Sequence, residues 1–290
     1  MYNDQLIVNT FSFSEQFEFK LFKAKILIEK SFVDEWFVVE NNYSFKGIYK
    51  GPHILKTLIQ SDEELAPLNY RIKVLEISYN INDIKPEDFT IEEFQRRYAV
   101  EKFLEEKDGF VIISDLDEII DGEKMPYCPI EQERIVCLVP WWYCWDIDNF
   151  CFYGSSRIKI IHKDILLKNP PGDNSWFTHI RYQHENVLFY KPEVPVAYHY
   201  HNCFPKEHIL RKWDTYSHTI YNPRHRLEDM LKYNYGLSED IKEFDESLAL
   251  SYIEPTIYNT PAWLLARQSE FKTHNVDPAY LHNRKQLAGK

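Results

Sequence analysis

Apolar residues along the chain fall into short runs of two different periods. Residues 6–13 read as a first strand. Ser14-Glu15 then opens a helix whose Phe17, Leu21, Ala24 and Ile28 fall on one face. Residues 33–39 form a second strand, ending at the polar run Glu40-Asn41-Asn42. Strand, helix and strand at this spacing predict a parallel pair joined by a crossover. Residues 70–77 give a third strand. Residues 86–106 give a helix with Ile91, Phe94, Tyr98 and Phe103 on one side. That helix leads directly into Phe110-Val111-Ile112-Ile113, four apolar residues of which three are β-branched, a strand buried on both faces.

After Pro126 and Pro129 the pattern turns to strands again, at 135–145, 150–153, 157–162 and 194–201, interrupted by the loop Asn169-Pro170-Pro171-Gly172-Asp173-Asn174. Residues 206–221 predict a helix with Leu210, Trp213 and Ile220 inward. Beyond Pro223 the chain reads as mostly helical, with shorter pieces near 226–235 and 260–272. The expectation is an α/β fold with a mainly parallel sheet over 1–222, and a helical extension over 223–290 packed on the same domain.

Composition narrows the function classes. The net charge of −11 argues against nucleic acid as the main partner, because a phosphate-binding surface carries basic stripes. Five cysteines form no C-x-x-C pair and no zinc spacing, which predicts buried thiols in a reducing compartment. The first residues, Met1-Tyr2-Asn3-Asp4-Gln5, lack a secretory pattern, and no window nears the roughly 18 to 20 apolar residues of a membrane span. A cytoplasmic location is the expectation.

The candidate chemistry starts at the buried strand. Ser114-Asp115-Leu116-Asp117-Glu118 places carboxylates at alternate positions just beyond it. In an extended backbone Asp115 and Asp117 point the same way. Two converging carboxylates repel and lose hydration, a cost that a divalent cation offsets, and hard oxygen ligands suit Mg²⁺ or Mn²⁺. The alternative is a polar strand end and a solvated turn.

Glu40 and Asn41 fall at the carboxyl edge of the second strand, where open α/β sheets bind ligands. Lys50, in the loop Ser44-Phe45-Lys46-Gly47-Ile48-Tyr49-Lys50-Gly51-Pro52, is either a solvated cation or a phosphate contact. Arg96 either pairs with Glu92, four residues earlier, or reaches the crevice beside Asp115. His199 and His201 share one face of a strand, which favours a ligand role more than a lone histidine would. Trp141, Trp142, Tyr143, Trp145 and Phe152 form either core or a flat platform for a sugar.

Several of these segments, in this order, resemble the bisecting N-acetylglucosaminyltransferase family, glycosyltransferase family 17. The resemblance runs from about Phe11 to about Thr273. Val33-Asp34-Glu35-Trp36-Phe37-Val38-Val39-Glu40 followed by Phe45-Lys46-Gly47 is similar to the family's "VD-x-FVIVE…TF-x-G" run. Glu92-x-x-Gln95-Arg96 resembles its "E-x-x-QR" helix, and Ile113-Ser114-Asp115-Leu116-Asp117-Glu118-Ile119 its "ISD-x-DEI" motif. Ala197-Tyr198-His199-Tyr200 resembles "GWHFS", and Tyr216-Ser217-His218-Thr219 the "FSH-x-E" turn. The chain departs from the pattern at Ala197-Tyr198, Arg97 and Ile220, differences that bear on donor and acceptor more than on fold.

The resemblance implies a GT-A fold, a Rossmann-like nucleotide-sugar-binding core. It also implies a cation held by the Asp-x-Asp motif and inversion at the anomeric carbon. The usual donor would be UDP-N-acetylglucosamine, with a glycan hydroxyl as acceptor. Asp115 and Asp117 would hold Mn²⁺ or Mg²⁺, with His199 completing the metal site. Glu40, Asn41, Lys50, Arg96 and Asp115 would contact the nucleotide sugar. An inverting transfer also needs a carboxylate base, for which Asp173 and Glu185 both stand between the aromatic segment and His199. A metal-dependent phosphoryl or nucleotidyl transferase, and a carbohydrate-binding protein without chemistry, are the competing readings.

Overall fold

The computed structural model describes residues 5–78, 90–144, 149–153, 158–172, 176, 180, 186–201, 203, 206–215, 251–252 and 255–271. Among them the strands form two sheets. The larger has the order β10-β6-β9-β4-β1-β2-β3. Its strands are β1 (Ile7–Phe13), β2 (Glu35–Asn41), β3 (Ile72–Ile77), β4 (Phe110–Ile113), β6 (Ile135–Leu138), β9 (Ile158–His162) and β10 (Val187–Tyr190). Every strand of this sheet except β9 runs in one direction. This is the mainly parallel α/β core expected from the sequence.

The smaller sheet has the order β12-β8-β7-β11-β5. It is built from β5 (Glu118–Ile120), β7 (Trp141–Cys144), β8 (Asn149–Tyr153), β11 (Ala197–His201) and β12 (Ser251–Tyr252). The run read as one strand over 135–145 is therefore two, in different sheets. Pro140 lies between them and has no N–H to contribute to a ladder.

Alternation along the central strands explains the layers. Phe110 and Ile112 of β4 join the core on one face with Ile7, Phe11, Trp36 and Val38. Val111 and Ile113 join the opposite core with Val8, Phe37 and Val39. Helix α1 (Phe19–Glu29) connects β1 to β2 and lies in the first core. It is buried nearly all round, Lys25 and Glu29 included, so the single apolar face expected from its sequence is broader in fact. A short helix, α2 (Leu55–Ser61), follows β2. Helix α3 (Thr90–Glu106) brings Ala99, Val100 and Phe103 to the second core. Leu166, on the short helix α4 (Lys163–Lys168) after β9, is buried in the same core. The third strand begins at Ile72, because residues Ala66–Arg71 form a 3₁₀ segment instead.

Gly109, immediately before β4, has a φ of 105°. A Cβ there would collide with the backbone of Leu6, 2.9 Å from its nitrogen, and Phe110 N donates to Leu6 O at 2.8 Å. Only glycine lets the two chains approach so closely in that conformation.

The chain adds β2 and β3 on one side of β1, then returns through α3 to place β4 on the other side. The carboxyl ends of β1 and β4 therefore flank the point where strand order reverses, which is where open α/β sheets form a crevice. Among the described residues no helix is long and apolar enough to cross a membrane.

Candidate functional site

The acidic motif is a turn, not an extension of β4. Leu116 and Asp117 lie in a turn closed by Glu118 N donating to Asp115 O at 3.1 Å. Asp115 N in return donates to Glu118 Oε2 at 2.8 Å. The expected parallel orientation of Asp115 and Asp117 on extended backbone is thus replaced by a turn that links β4 to β5 across the two sheets. Both side chains nevertheless line the same cavity.

A buried polar network fixes the turn from beneath. Lys25 and Glu29 of α1 form an ion pair at 2.8 Å with both side chains fully buried. The Lys25 ammonium also donates to Ser114 Oγ at 3.2 Å and to the Glu118 carbonyl. Glu29 accepts from Asn9 Nδ2 at 2.8 Å, Trp36 Nε1 at 3.0 Å and Ile120 N at 3.1 Å. Ser114 Oγ donates to Asn9 Oδ1 at 2.9 Å, which closes the network. A buried pair satisfied on all sides specifies one arrangement of the segments it joins.

Strand β11 pairs alongside the turn. Tyr200 N donates to Asp117 O at 2.8 Å, and His199 stands opposite Glu118 in the β11–β5 register. His199 Nε2 lies 3.5 Å from Asp117 Oδ1. Asp117, His199 and His201 offer one carboxylate oxygen and two imidazole nitrogens, all within 4.8 Å of one another. Trp142, the neighbour of His199 across the β11–β7 ladder, holds both rings. Its centroid is 4.1 Å from His199 and 6.1 Å from His201. His199 Nδ1 is buried and has no hydrogen-bond partner among the described residues. One carboxylate and two imidazoles are a donor set that fits a divalent transition ion. The Asp115 carboxylate lies outside this group and forms an ion pair with Arg96.

From the cavity side, Arg96 and Lys212 face the acidic turn. Arg96, on α3, bridges Asp115 and Glu92, the latter at 2.7 Å, so both readings of that arginine hold at once. Lys212, on helix α5 (Lys206–Thr215), reaches Asp117 Oδ2 at 3.3 Å. Burial disfavours ionised Asp117, but Lys212 and the two imidazoles outweigh it and hold the carboxyl well below the usual carboxylate range. Burial likewise opposes the Lys212 ammonium, and Asp117 and Glu18 reverse that and raise its pKa. Glu18, unlike Asp117, moves up. Its burial raises its pKa despite the pull of Lys212.

Glu18, Arg96, Asp115, Asp117 and Lys212 line a cavity of about 80 Å³ that also touches Ser12, Ser14, Phe17 and Phe45. A second cavity of about 560 Å³ adjoins it through Ser14 and Phe17, with Glu40, Asn41, Lys50 and Arg211 on its walls. That volume is in the range of small-molecule sites. Glu40 accepts from Ile54 N at 2.7 Å and Leu55 N at 3.1 Å, so its carboxylate caps helix α2. Asn41 is buried, and its Nδ2 has no partner among the described residues. Lys50 donates to Ser14 O at 2.6 Å, and burial brings its pKa down to about 8.

The structure thus gathers Arg96, Asp115 and Asp117 at one cavity, with His199 buried against Asp117, and Glu40, Asn41 and Lys50 at the next. Asp173 and Glu185 lie outside the described residues. Two members of the site, Lys212 and Glu18, carried no signal in the sequence, since each is one charge among many on a helical stretch, whereas His201 was marked together with His199 by their shared strand face.

No protein-family model matches the sequence, and no curated protein does. Among solved structures, the chain is similar to WbbM, described as a bifunctional glycosyltransferase, at 11% identity and a TM-score of 0.39, over 64% of this chain. The chain spans 39% of the length of WbbM. It is also similar to an inositol-1-phosphate CTP transferase from T. maritima, at 9% identity and a TM-score of 0.39, over 78% of this chain and 97% of that one. A third is an active-site mutant of LgtC, at 10% identity and a TM-score of 0.35, over 81% and 99%.

Proposed function

We propose that the chain is a GT-A glycosyltransferase that uses a nucleotide sugar, with UDP-N-acetylglucosamine as the donor and a glycan hydroxyl as the acceptor. The observation that carries this reading is the convergence of His199 and His201 on Asp117, whose side chain lines a crevice at the switch point of a mainly parallel sheet. Asp117, His199 and His201 would hold Mn²⁺ or Mg²⁺, and the two imidazoles favour Mn²⁺. When bound, such an ion supplies Lewis-acid neutralisation of the charge that develops on a diphosphate leaving group.

The chain's own residues would divide the remaining work. Asp115 orients the Arg96 guanidinium, a fixed planar cation suited to phosphate oxygens. The larger cavity takes the nucleoside, with the unpartnered Nδ2 of Asn41 as a donor to a base or ribose oxygen. Glu40 serves that pocket indirectly, by fixing the start of α2 through its capping bonds. Lys50 adds positive charge at its rim. A carboxylate, Asp173 or Glu185, accepts the proton of the acceptor hydroxyl as its oxygen attacks the anomeric carbon from the face opposite the diphosphate.

Incubation with a panel of nucleotide sugars and Mn²⁺ tests the reading. Slow hydrolysis of one UDP-sugar, lost in Asp117→Asn, supports it. Turnover of nucleoside triphosphates instead would make the protein a nucleotidyl or phosphoryl transferase. Glycan binding with no turnover would make it a binding protein.

A further inference from the structure

Asp117 is claimed from two sides. Its Oδ1 faces His199 at 3.5 Å, and its Oδ2 faces the Lys212 ammonium at 3.3 Å. Lys212 is not a loose surface lysine, because its helix is docked against the segment that follows β1. His208 stacks on Phe17 with ring centroids 4.9 Å apart, Ile209 is fully buried, and Arg211 pairs with Glu15. These contacts deliver the ammonium into the cavity that Asp115, Asp117, Arg96 and Glu18 line.

A divalent ion held by Asp117 and the two histidines would draw on the same carboxylate that Lys212 faces. Two positive charges would then share one buried carboxylate, and they repel strongly in a site with little water. The repulsion ends if an anion enters, since the diphosphate of a nucleotide offers the ammonium new oxygen partners within the same cavity.

We propose that Lys212 is the resident counter-ion of the cation site. It competes with the divalent ion for Asp117 when no nucleotide is present, and it contacts the phosphates when nucleotide and ion are bound together. Lys212 thereby couples the two binding events, so that each ligand favours the other. This inference rests on the nucleotide-sugar reading above and adds to it a residue and an order of preference.

Competition and phosphate binding make predictions of opposite sign for one substitution. Lys212→Met should bind Mn²⁺ alone about tenfold more tightly than wild type, and should bind UDP at saturating Mn²⁺ about tenfold more weakly, a coupling of ordinary size. Calorimetric titration reads both affinities without any turnover. Lys212→Gln provides a second variant that leaves Asp117 a polar neighbour, and thermal unfolding confirms that each variant is folded. A purely structural lysine would weaken both ligands together. That outcome, or two unchanged affinities in a variant of a wild type that binds both ligands, overturns the inference alone. A wild type that binds neither Mn²⁺ nor UDP overturns the inference together with the function it rests on.

Discussion

Asp117 is anchored by its backbone to β11, through Tyr200 N, while its carboxylate faces the cavity. Its side chain can therefore be altered with little effect on the strand pairing. Asp117→Asn should abolish Mn²⁺ binding in a titration and lower sugar-nucleotide turnover by about 10²-fold or more. Lys50 allows a pH test with a defined sign. Burial brings its pKa down to about 8 from an ordinary 10.5, so the folded chain releases this proton before the unfolded chain does. Between those values the unfolded state binds more protons, and the Lys50 contribution to stability rises with pH. Below about 8 the buried ammonium is a penalty. Urea midpoints at about pH 7 and about pH 9.5 should show this rise in wild type and its loss in Lys50→Met. At this scale the sequence identified Asp117 and His199 because carboxylates beside a buried strand and paired histidines on one strand face are unusual. It could not identify Lys212 or Glu18. Their meaning comes from a fold that brings residues 18, 117 and 212 to one point, and no spacing rule links positions so distant.

The β4–β5 turn is the element on which the site depends, and α1 supports it. Lys25→Met would leave Glu29 as a buried charge without its partner, a loss of about 3–5 kcal/mol in urea denaturation. Because Lys25 also donates to Ser114 and to the Glu118 carbonyl, Mn²⁺ affinity should fall as well. At the other end of β4, Gly109→Ala must place a Cβ against Leu6 at a backbone angle that L residues rarely adopt. A cost above about 2 kcal/mol is expected in the same assay. Parallel strands and helices were legible because a two-face buried strand and a helical apolar stripe each leave a period in the sequence. The turn was not legible. Asp-x-Asp continues the alternation of a strand, and only the bonds between Asp115 and Glu118 stop it. Nor did the 135–145 run reveal that its halves enter different sheets, since both halves are apolar.

At the scale of the whole molecule, two sheets meet at one residue. The larger sheet supplies the crevice at its switch point, and the smaller supplies His199, His201 and Trp142, so neither sheet alone holds the full donor set. Residues from β1, α1, α3, the β4–β5 turn and α5 must all be in place before the cavity exists, which predicts that site and fold are lost together on denaturation. Trp142 offers a way to follow this, because its indole touches both histidines and its fluorescence should respond to Mn²⁺. The decisive measurement is the calorimetric titration of UDP into wild type and Asp117→Asn, each with and without Mn²⁺. Mn²⁺ should tighten UDP binding by about tenfold or more in wild type and have no effect in the variant. UDP binding that ignores Mn²⁺, or a response to Mn²⁺ that survives the loss of the Asp117 carboxylate, would contradict the assignment of this carboxylate to the cation.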